Sequence, residues 1–323
     1  LLHMDIKQTI KRQTLADIEG TATRVAAILS GIRSHMLSPN EKKQAPVLST
    51  VELADLCGVD KKKISYRLTR GDLPQGTMRG YRREWTMEEA LPWIRSFRAH
   101  AMRPAGAAAT TITVANFKGG VAKTVTAVTL AQGLARKGLR TAVVDLDPQG
   151  SATTLFGVLP EKDVEMEHTA MPLFAGQQSD LDYAFRPTYW PNIDLVCAAP
   201  MLFGAEFALP ARQSNDPGFE FWRVLDRGLD NARETYDVII IDTPPSLSYV
   251  TINALLAADG LIVPLPPSAL DFASSSQFWE LFSDLTNQLL RNRGQDKNFE
   301  FIDVLLSRVE ASDTASTVVR QWI

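Results

Sequence analysis

The sequence predicts an α/β protein, a mostly parallel sheet between helix layers, with a long N-terminal helix and a winged helix-turn-helix domain ahead of it. Three observations carry this. From residue 111 onward, apolar runs of strand length alternate with helix-like runs. The stretch NFKGGVAKT, residues 116–124, joins the first of those strands to a helix. A helix-turn-helix spacing followed by a glycine-punctuated basic hairpin precedes both.

A length of 323 residues suits about two ordinary domains. Hydrophobic content of 45% and charge of 22% describe a soluble globular chain. Cys57 and Cys197 lie far apart, so a zinc or iron–sulfur ligand set is not supported, and a cytoplasmic setting is expected. No run approaches the ~18 apolar residues of a membrane span, and LLHMDIKQTIKRQ is not a signal peptide; no membrane partner is expected. Residues 1–105 hold 18 Lys and Arg against 11 Asp and Glu, and the remainder holds 16 against 26. A basic front on an acidic body points to a polyanion partner for the front.

Residues 5–37 read as one helix. Leu15, Ile18, Ala22, Val25, Leu29, Ile32 and Met36 are spaced 3, 4, 3, 4, 3, 4, an a/d seam that predicts a dimerisation helix over 1–40. SPNEKKQAP then breaks the helix. A DNA-binding unit is expected over 46–103, and PAGAAAT (104–110) reads as a short linker. The third domain spans 110–323. Its strands are read at 111–116, 141–147, 193–199, 237–242, 260–265 and 301–309. They lack polar alternation, as strands buried on both faces do. A doubly wound domain usually closes with further helices after its last strand, so the chain is expected to continue beyond VVRQWI.

In STVELADLCGVDKKKISYRLTR (49–70), Thr50 is read as a helix cap, and Leu53, Ala54 and Cys57 point inward. Gly58 marks the turn, where positive φ is easy, and Val59 and Ile64 plug the angle between two helices. The second helix, read to residue 70, bears Lys61, Lys62, Lys63, Ser65, Tyr66, Arg67 and Arg70. Lysine and arginine there would meet phosphates, while Ser, Tyr and Arg could reach base edges. Gly76 and Gly80 in LPQGTMRGYRREWTMEEALPWIRSF suit a hairpin wing armed by Arg79, Arg82 and Arg83. This unit resembles the winged helix-turn-helix of MerR-type regulators.

NFKGGVAKT departs from G-x-x-x-x-G-K-[ST] at both outer glycines, where Phe117 and Ala122 stand. A strand-to-helix loop still presents backbone amides to phosphate at a helix N-terminus. Gly119 and Gly120 open the cradle, Lys123 can reach the phosphates, and Thr124 can hold Mg²⁺. Ala122 adds one methyl, tolerable if that residue has helical dihedrals. Lys118 is the extra. Asp145 and Asp147 end one strand and Asp242 ends another, at the edge where parallel sheets bind ligands. Phe203 and Phe207 are read as core, or as facing a partner protomer.

KGGVAKT, followed by DLDPQGSATTLFG and VIIIDTPPS, resembles the deviant Walker A motif set of the ParA/MinD ATPases, over most of 110–310. With the front domain, the likeness is to the large plasmid-type ParA partition ATPases, P-loop NTPases in fold. The resemblance implies ATP/ADP and Mg²⁺ as ligands, held by Lys118, Gly119, Gly120, Val121, Ala122, Lys123, Thr124 and Val125, with Thr124, Asp147 and Asp242 on the metal. It implies Lys118, Lys123 and Asp147 as catalytic groups, with Lys118 crossing a homodimer interface to the other protomer's ATP. It further implies non-specific DNA binding in the ATP form, hydrolysis stimulated by a centromere-binding ParB-type partner, operon autorepression through the front domain, and a nucleoid location. A nucleotide-sensing transcription regulator without a transport role is the alternative. A MinD-like membrane-cycling ATPase would need an amphipathic C-terminal helix; none is seen in these residues, and the continuation expected beyond VVRQWI leaves that reading open. The cysteine count disfavours a nitrogenase iron protein.

Overall fold

The computed structural model describes residues 14–36 and 43–309. The expectations for residues 5–13, for most of the break after residue 37 and for VVRQWI lie outside them. The chain divides into two compact units, residues 1–43 and 44–323, each taken by itself below.

The first unit contains helix α1, Leu15–Met36. Thr14 and Asp17 cap its start reciprocally: Thr14 N donates to Asp17 Oδ2 at 2.8 Å, and Asp17 N donates to Thr14 Oγ1 at 3.2 Å. Leu15, Ile18 and Val25 of the seam are exposed. The side chains of Leu29, Ile32 and Met36 are not among those described.

The second unit opens with β1 (Leu48–Ser49), α2 (Thr50–Cys57) and α3 (Lys61–Leu68). Then come the hairpin β2 (Thr77–Arg79) and β3 (Arg82–Trp85) and helix α4 (Met87–Phe97). Ser49, not Thr50, caps α2, in a reciprocal pair with Glu52; Thr50 is the first helical residue. A cap must keep extended dihedrals, and Ser49 does so as the last residue of β1. Gly58 ends α2 at φ +68°, as expected. Leu53, Ala54, Cys57 and Ile64 pack with Trp85, Met87, Trp93 and Ile94 into a core of their own. Glycine is required at position 76: with φ +63°, a Cβ would stand 2.5 Å from Glu84 O.

The α/β part is one seven-stranded sheet. Its strands are β4 (Thr110–Val114), β5 (Thr141–Asp145), β6 (Arg186–Pro187), β7 (Ile193–Val196), β8 (Val238–Asp242), β9 (Gly260–Leu265) and β10 (Phe301–Leu306), in the order β10-β9-β4-β8-β5-β7-β6. All neighbours pair in parallel except β6 with β7. The helices between them are α5 (Lys123–Arg136), α6 (Ser151–Leu155), α7 (Pro160–Asp163), α8 (Met171–Ala175), α9 (Ala205–Asn215), α10 (Val224–Gly228), α11 (Asp230–Thr235), α12 (Tyr249–Ala257) and α13 (Ala269–Leu289). The pleat sends alternate residues to opposite faces. Ala142, Val144, Ile239 and Ile241 join one core, and Val143, Val238 and Ile240 join the other. β10 departs from the expected two-sided burial: it pairs on one side only, and Ile302 and Leu305 are exposed among the described residues.

The stretch read as a linker is pinned at both ends, by Arg103 just before it and by Ala109 N, which donates to Arg233 O at 2.8 Å. Arg95 donates to Gly138 O at 2.9 Å and to Asn192 Oδ1 at 2.7 Å. Arg103 pairs with Asp237 at 3.0 Å and donates to the carbonyls of Arg233 and Glu234. Among the described residues, no helix is long and apolar enough to cross a membrane.

Candidate nucleotide site and basic surface

The loop from residue 115 to 122 leaves β4 at the carboxyl edge of the sheet and ends at α5. Asn116 anchors its start, donating to Pro264 O at 2.9 Å and accepting from Lys118 N at 3.0 Å. Phe117 turns into the core and meets Phe278, ring centroids 4.6 Å apart. This explains the first missing glycine: the side chain packs behind the loop. Gly120 has φ +73°. Ala122 does not meet the condition of right-handed helical dihedrals under which its methyl is easily tolerated; it caps α5 in the left-handed region at φ 72°, ψ 27°. Helix α5 therefore begins from a strained alanine at a position where the standard loop has glycine. Among the described residues, the amides of Gly119 through Val125 find no acceptor, so they are available to an anion at this helix start.

The two lysines of the loop differ. Lys118 is exposed. Lys123 is 6% exposed and donates from Nζ to Lys118 O at 2.9 Å. Burial lowers its pKa, while the charges of Asp242 and Asp147 oppose the shift.

Asp145, Asp147 and Asp242 converge beside Lys123, as their strand ends require. Asp145 is fully buried and accepts from Asp147 N (3.1 Å) and from Thr153 N and Oγ1 (both 2.8 Å). Burial raises its pKa above the ordinary carboxylate range, and those hydrogen bonds oppose the rise. Asp147 Oδ1 takes the amide of Gln149 at 2.9 Å, shaping the turn. Asp242 is 0% exposed, and neither of its carboxylate oxygens has a hydrogen-bond partner. Burial, then the neighbouring Asp145, raises its pKa well above the usual range. Thr124 and Lys123 stand near enough to oppose this, although Thr124 forms no hydrogen bond of normal geometry with it.

A bare buried carboxylate next to a threonine hydroxyl fits a hard divalent cation such as Mg²⁺. Among the described residues, no group of three or more His, Cys, Asp or Glu forms a metal site by itself. Mg²⁺ commonly takes only one or two carboxylates together with waters and substrate phosphates, a pattern this donor set would allow.

The sequence reading singled out neither Thr153 nor the far end of β10. Ser307 Oγ donates to Val121 O, and Arg308 Nη1 to Gly120 O, each at 2.9 Å. The available signal was position: both follow a strand at the ligand edge. Val125 is exposed on α5, and Phe203 and Phe207 are exposed as well, an edge-on ring pair rather than core.

Near the start of the second unit, Lys61, Lys62, Lys63, Ser65 and Tyr66 are exposed on α3. Asp60 caps that helix, accepting from Lys62 N at 2.6 Å. The helix ends at Leu68, so Arg70 lies past it. Arg67 is engaged with Asp72 at 2.7 Å. Arg79 pairs with Glu84, Arg82 is exposed, and Arg83 braces the carbonyl of Gln75.

Comparisons with known proteins agree with this geometry. Residues 109–293 match the family model described as an AAA domain. The chain is 35% identical over 259 residues to protein SopA of Escherichia coli K12, covering 77% of this chain and 66% of that one. It is 40% identical over 154 residues to the chromosome-partitioning ATPase Soj of Thermus thermophilus, covering 48% and 53%. Among solved structures, the cobyrinic acid a,c-diamide synthase of Mycobacterium smegmatis with bound ATP analogue and magnesium is 32% identical, with a TM-score of 0.56 over 67% of this chain and 79% of that one. A structure described as a partition protein shares the fold over 96% of this chain and 89% of its own, with a TM-score of 0.67 at 21% identity. A phosphate loop with two lysines, a bare Asp242 facing it and these relatives lead to one assignment: the chain belongs to the AAA-domain P-loop ATPases of the ParA partition type.

Proposed function

We propose that this chain drives DNA partition as a nucleotide-switched homodimer. The observation that carries the reading is the contrast within one loop. Lys123 is buried against its own phosphate cradle, whereas Lys118, five residues earlier, is exposed. An exposed cation beside a phosphate site suits a second protomer's nucleotide, in the manner of an arginine finger. Gly119, Gly120, Val121, Ala122 and Val125 supply backbone amides to the phosphates. Thr124 and Asp242, with Asp147 nearby, would hold Mg²⁺, which when bound neutralises phosphate charge. Asp147 orients the attacking water and accepts its proton.

Residues 46–103 are the DNA-binding domain, with α3 in the major groove and the β2–β3 wing beside it. Its exposed Lys61, Lys62 and Lys63 meet phosphates. It represses the chain's own operon, and the ATP form binds DNA non-specifically on the nucleoid. The α1 seam pairs protomers without nucleotide; the exposure of Leu15, Ile18 and Val25 supports this. A centromere-binding ParB-type protein stimulates hydrolysis. The test is phosphate release with Mg²⁺ and ATP, with and without DNA and that partner. A weak basal rate that rises with both is expected, and no Mg²⁺-dependent release under any combination sinks the reading.

A second reading, a nucleotide-sensing regulator without transport, is favoured by one feature. Arg95 of α4 grips Gly138 and Asn192 of the nucleotide domain, so the two can move together. Nucleotide-dependent operator affinity without stimulated hydrolysis would select it.

A further inference from the structure

Two loops carry the acidic groups of the site. One, residues 145–153, follows β5 and holds Asp147. The other, residues 242–250, follows β8 and starts at Asp242. Hydrolysis needs both at a fixed separation, because a small misplacement of reacting groups is expensive. One short segment, residues 198–206, touches both.

At its first end, Thr153 makes the joint. This fully buried hydroxyl donates to Asp145 Oδ2 and accepts from Ala198 N, both at 2.8 Å. Asp145 in turn holds the amide of Asp147. At its other end, Glu206 makes the joint. Its Oε2 accepts from Tyr249 N at 3.0 Å and its Oε1 from Val250 N at 3.2 Å. These are the first two amides of α12, and Ser248 takes the next useful one, Thr251 N, at 3.3 Å. The carboxylate thus fixes the end of the loop that leaves Asp242. That loop is also fixed at its start, where Thr243 Oγ1 donates to Val114 O at 2.9 Å. Within it, Pro245 lies 3.7 Å from where a Cβ on Gly119 would stand, against the phosphate loop. Between the joints the segment is rigid for local reasons: a 3-10 turn spans Pro200–Gly204, and Leu202 and Ala205 are fully buried.

We propose that residues 198–206 form a strut between the two loops, with Thr153 and Glu206 as positioning residues for hydrolysis. Neither residue touches the reacting atoms. Thr153 acts through Asp145 on Asp147, and Glu206 acts through α12 on the loop from Asp242. The proposal rests on the ATPase reading and adds which groups set its geometry.

The test uses the full chain with Mg²⁺, measuring binding of a fluorescent ATP analogue and phosphate release at saturating ATP. Thr153→Val keeps shape and removes the hydroxyl. Glu206→Gln leaves an amide group facing one backbone N–H. Each should lower kcat about tenfold and change nucleotide affinity less than about threefold. Thr153→Ser, which keeps the hydroxyl, should restore kcat to within about threefold. The double variant Thr153→Val/Glu206→Gln should be little worse than the worse single one, because either broken joint already frees the strut. Unchanged kcat in either single variant overturns the proposal. So does affinity falling in step with kcat, or losses that multiply to about a hundredfold, which would mean two independent local contacts. If Thr153→Val does not fold, Glu206→Gln and Thr153→Ser still decide, since an unaltered kcat in Glu206→Gln is enough to overturn it. A wild-type chain that neither binds nucleotide nor releases phosphate defeats the ATPase reading itself; an active wild type with unaltered variants defeats only the strut.

Discussion

Lys123 and the triplet Lys61–Lys63 are the cations proposed to meet phosphate, and the fold treats them in opposite ways. The triplet is exposed on α3. Its charges stay solvated, act over about a Debye length of 8 Å, and are screened by salt. Lys123 is buried, its pKa lowered by lost hydration and held up by Asp242 and Asp147. Around it, three acidic side chains crowd beside a buried lysine, and the carboxylate oxygens of one of them, Asp242, have no hydrogen-bond partner. The exposed set suits a long polyanion met in many registers, where each contact adds a little. The buried set suits a single ligand that completes the site, where each group is indispensable.

The largest effects therefore belong to the buried set. Asp147→Ala should lower DNA- and partner-stimulated phosphate release by about a hundredfold or more, the range of a lost general base. Its operator binding should keep the wild-type salt dependence. Equal stimulated rates in the two proteins would remove Asp147 from the mechanism. Next comes the contrast inside the loop. Lys123→Ala should weaken ATP binding about tenfold to a hundredfold, as loss of a charge-assisted contact of roughly 1.5–3 kcal/mol requires. Lys118→Ala should leave binding to the single protomer within about threefold, yet lose ATP-driven association by a similar tenfold to hundredfold factor. Residues 1–40 must be deleted for this comparison, so that the α1 seam does not hold protomers together. Light scattering reads the association. Parallel loss of affinity in both variants would assign Lys118 to its own nucleotide.

Much of this was legible beforehand, and the limits have physical causes. Five of the six long strands announced themselves because both faces are buried and their residues are mostly apolar; β10 was read on its apolar residues, yet it lies at the sheet edge with Ile302 and Leu305 exposed. β6 did not: two residues, Arg186 and Pro187, on an edge carry no pattern. The loop, Lys123 and the three aspartates were readable because phosphate chemistry demands their types and spacing. Thr153 and Glu206 were not, since a hydroxyl or carboxylate that braces a backbone amide can sit anywhere in the chain. The backbone sign at Ala122 was also hidden, because nothing in residue type alone sets φ. Arg67 was read as a base-contacting group. Its bond to Asp72, five residues on, comes from the turn after α3.

That last detail sharpens the test of the exposed set. Lys62→Ala with Lys63→Ala should flatten the salt dependence of operator binding by about 2 units of slope, at roughly 0.9 per phosphate contact. ATP binding should not move. Arg67→Ala should instead loosen the Asp72 turn. A double lysine variant with an unaltered slope would take α3 off the DNA.

The smallest expected effect tests the loop backbone itself. At φ 72°, Ala122 sits where an L-residue with a Cβ is strained by about 1–2 kcal/mol. Ala122→Gly removes that strain and returns about 0.5–1 kcal/mol of it through the freer unfolded chain. The balance is a gain of zero to about 1.5 kcal/mol, a rise in Tm of a few degrees at most for a domain of this size. The same substitution in an ordinary helix should have the opposite sign. Ala208, half-buried within α9, does not have positive φ, and Ala208→Gly should lose about 1 kcal/mol. Nucleotide affinity should hold in Ala122→Gly, because the cradle uses the amide of residue 122 and not its methyl. Thermal melts of the two variants with the same buffer and protein concentration give the comparison. If Ala122→Gly lowers Tm as much as Ala208→Gly does, the left-handed turn into α5 is not strained by its methyl, and the departure from glycine there needs no compensation from Phe117, Asn116 or the rest of the loop's anchors.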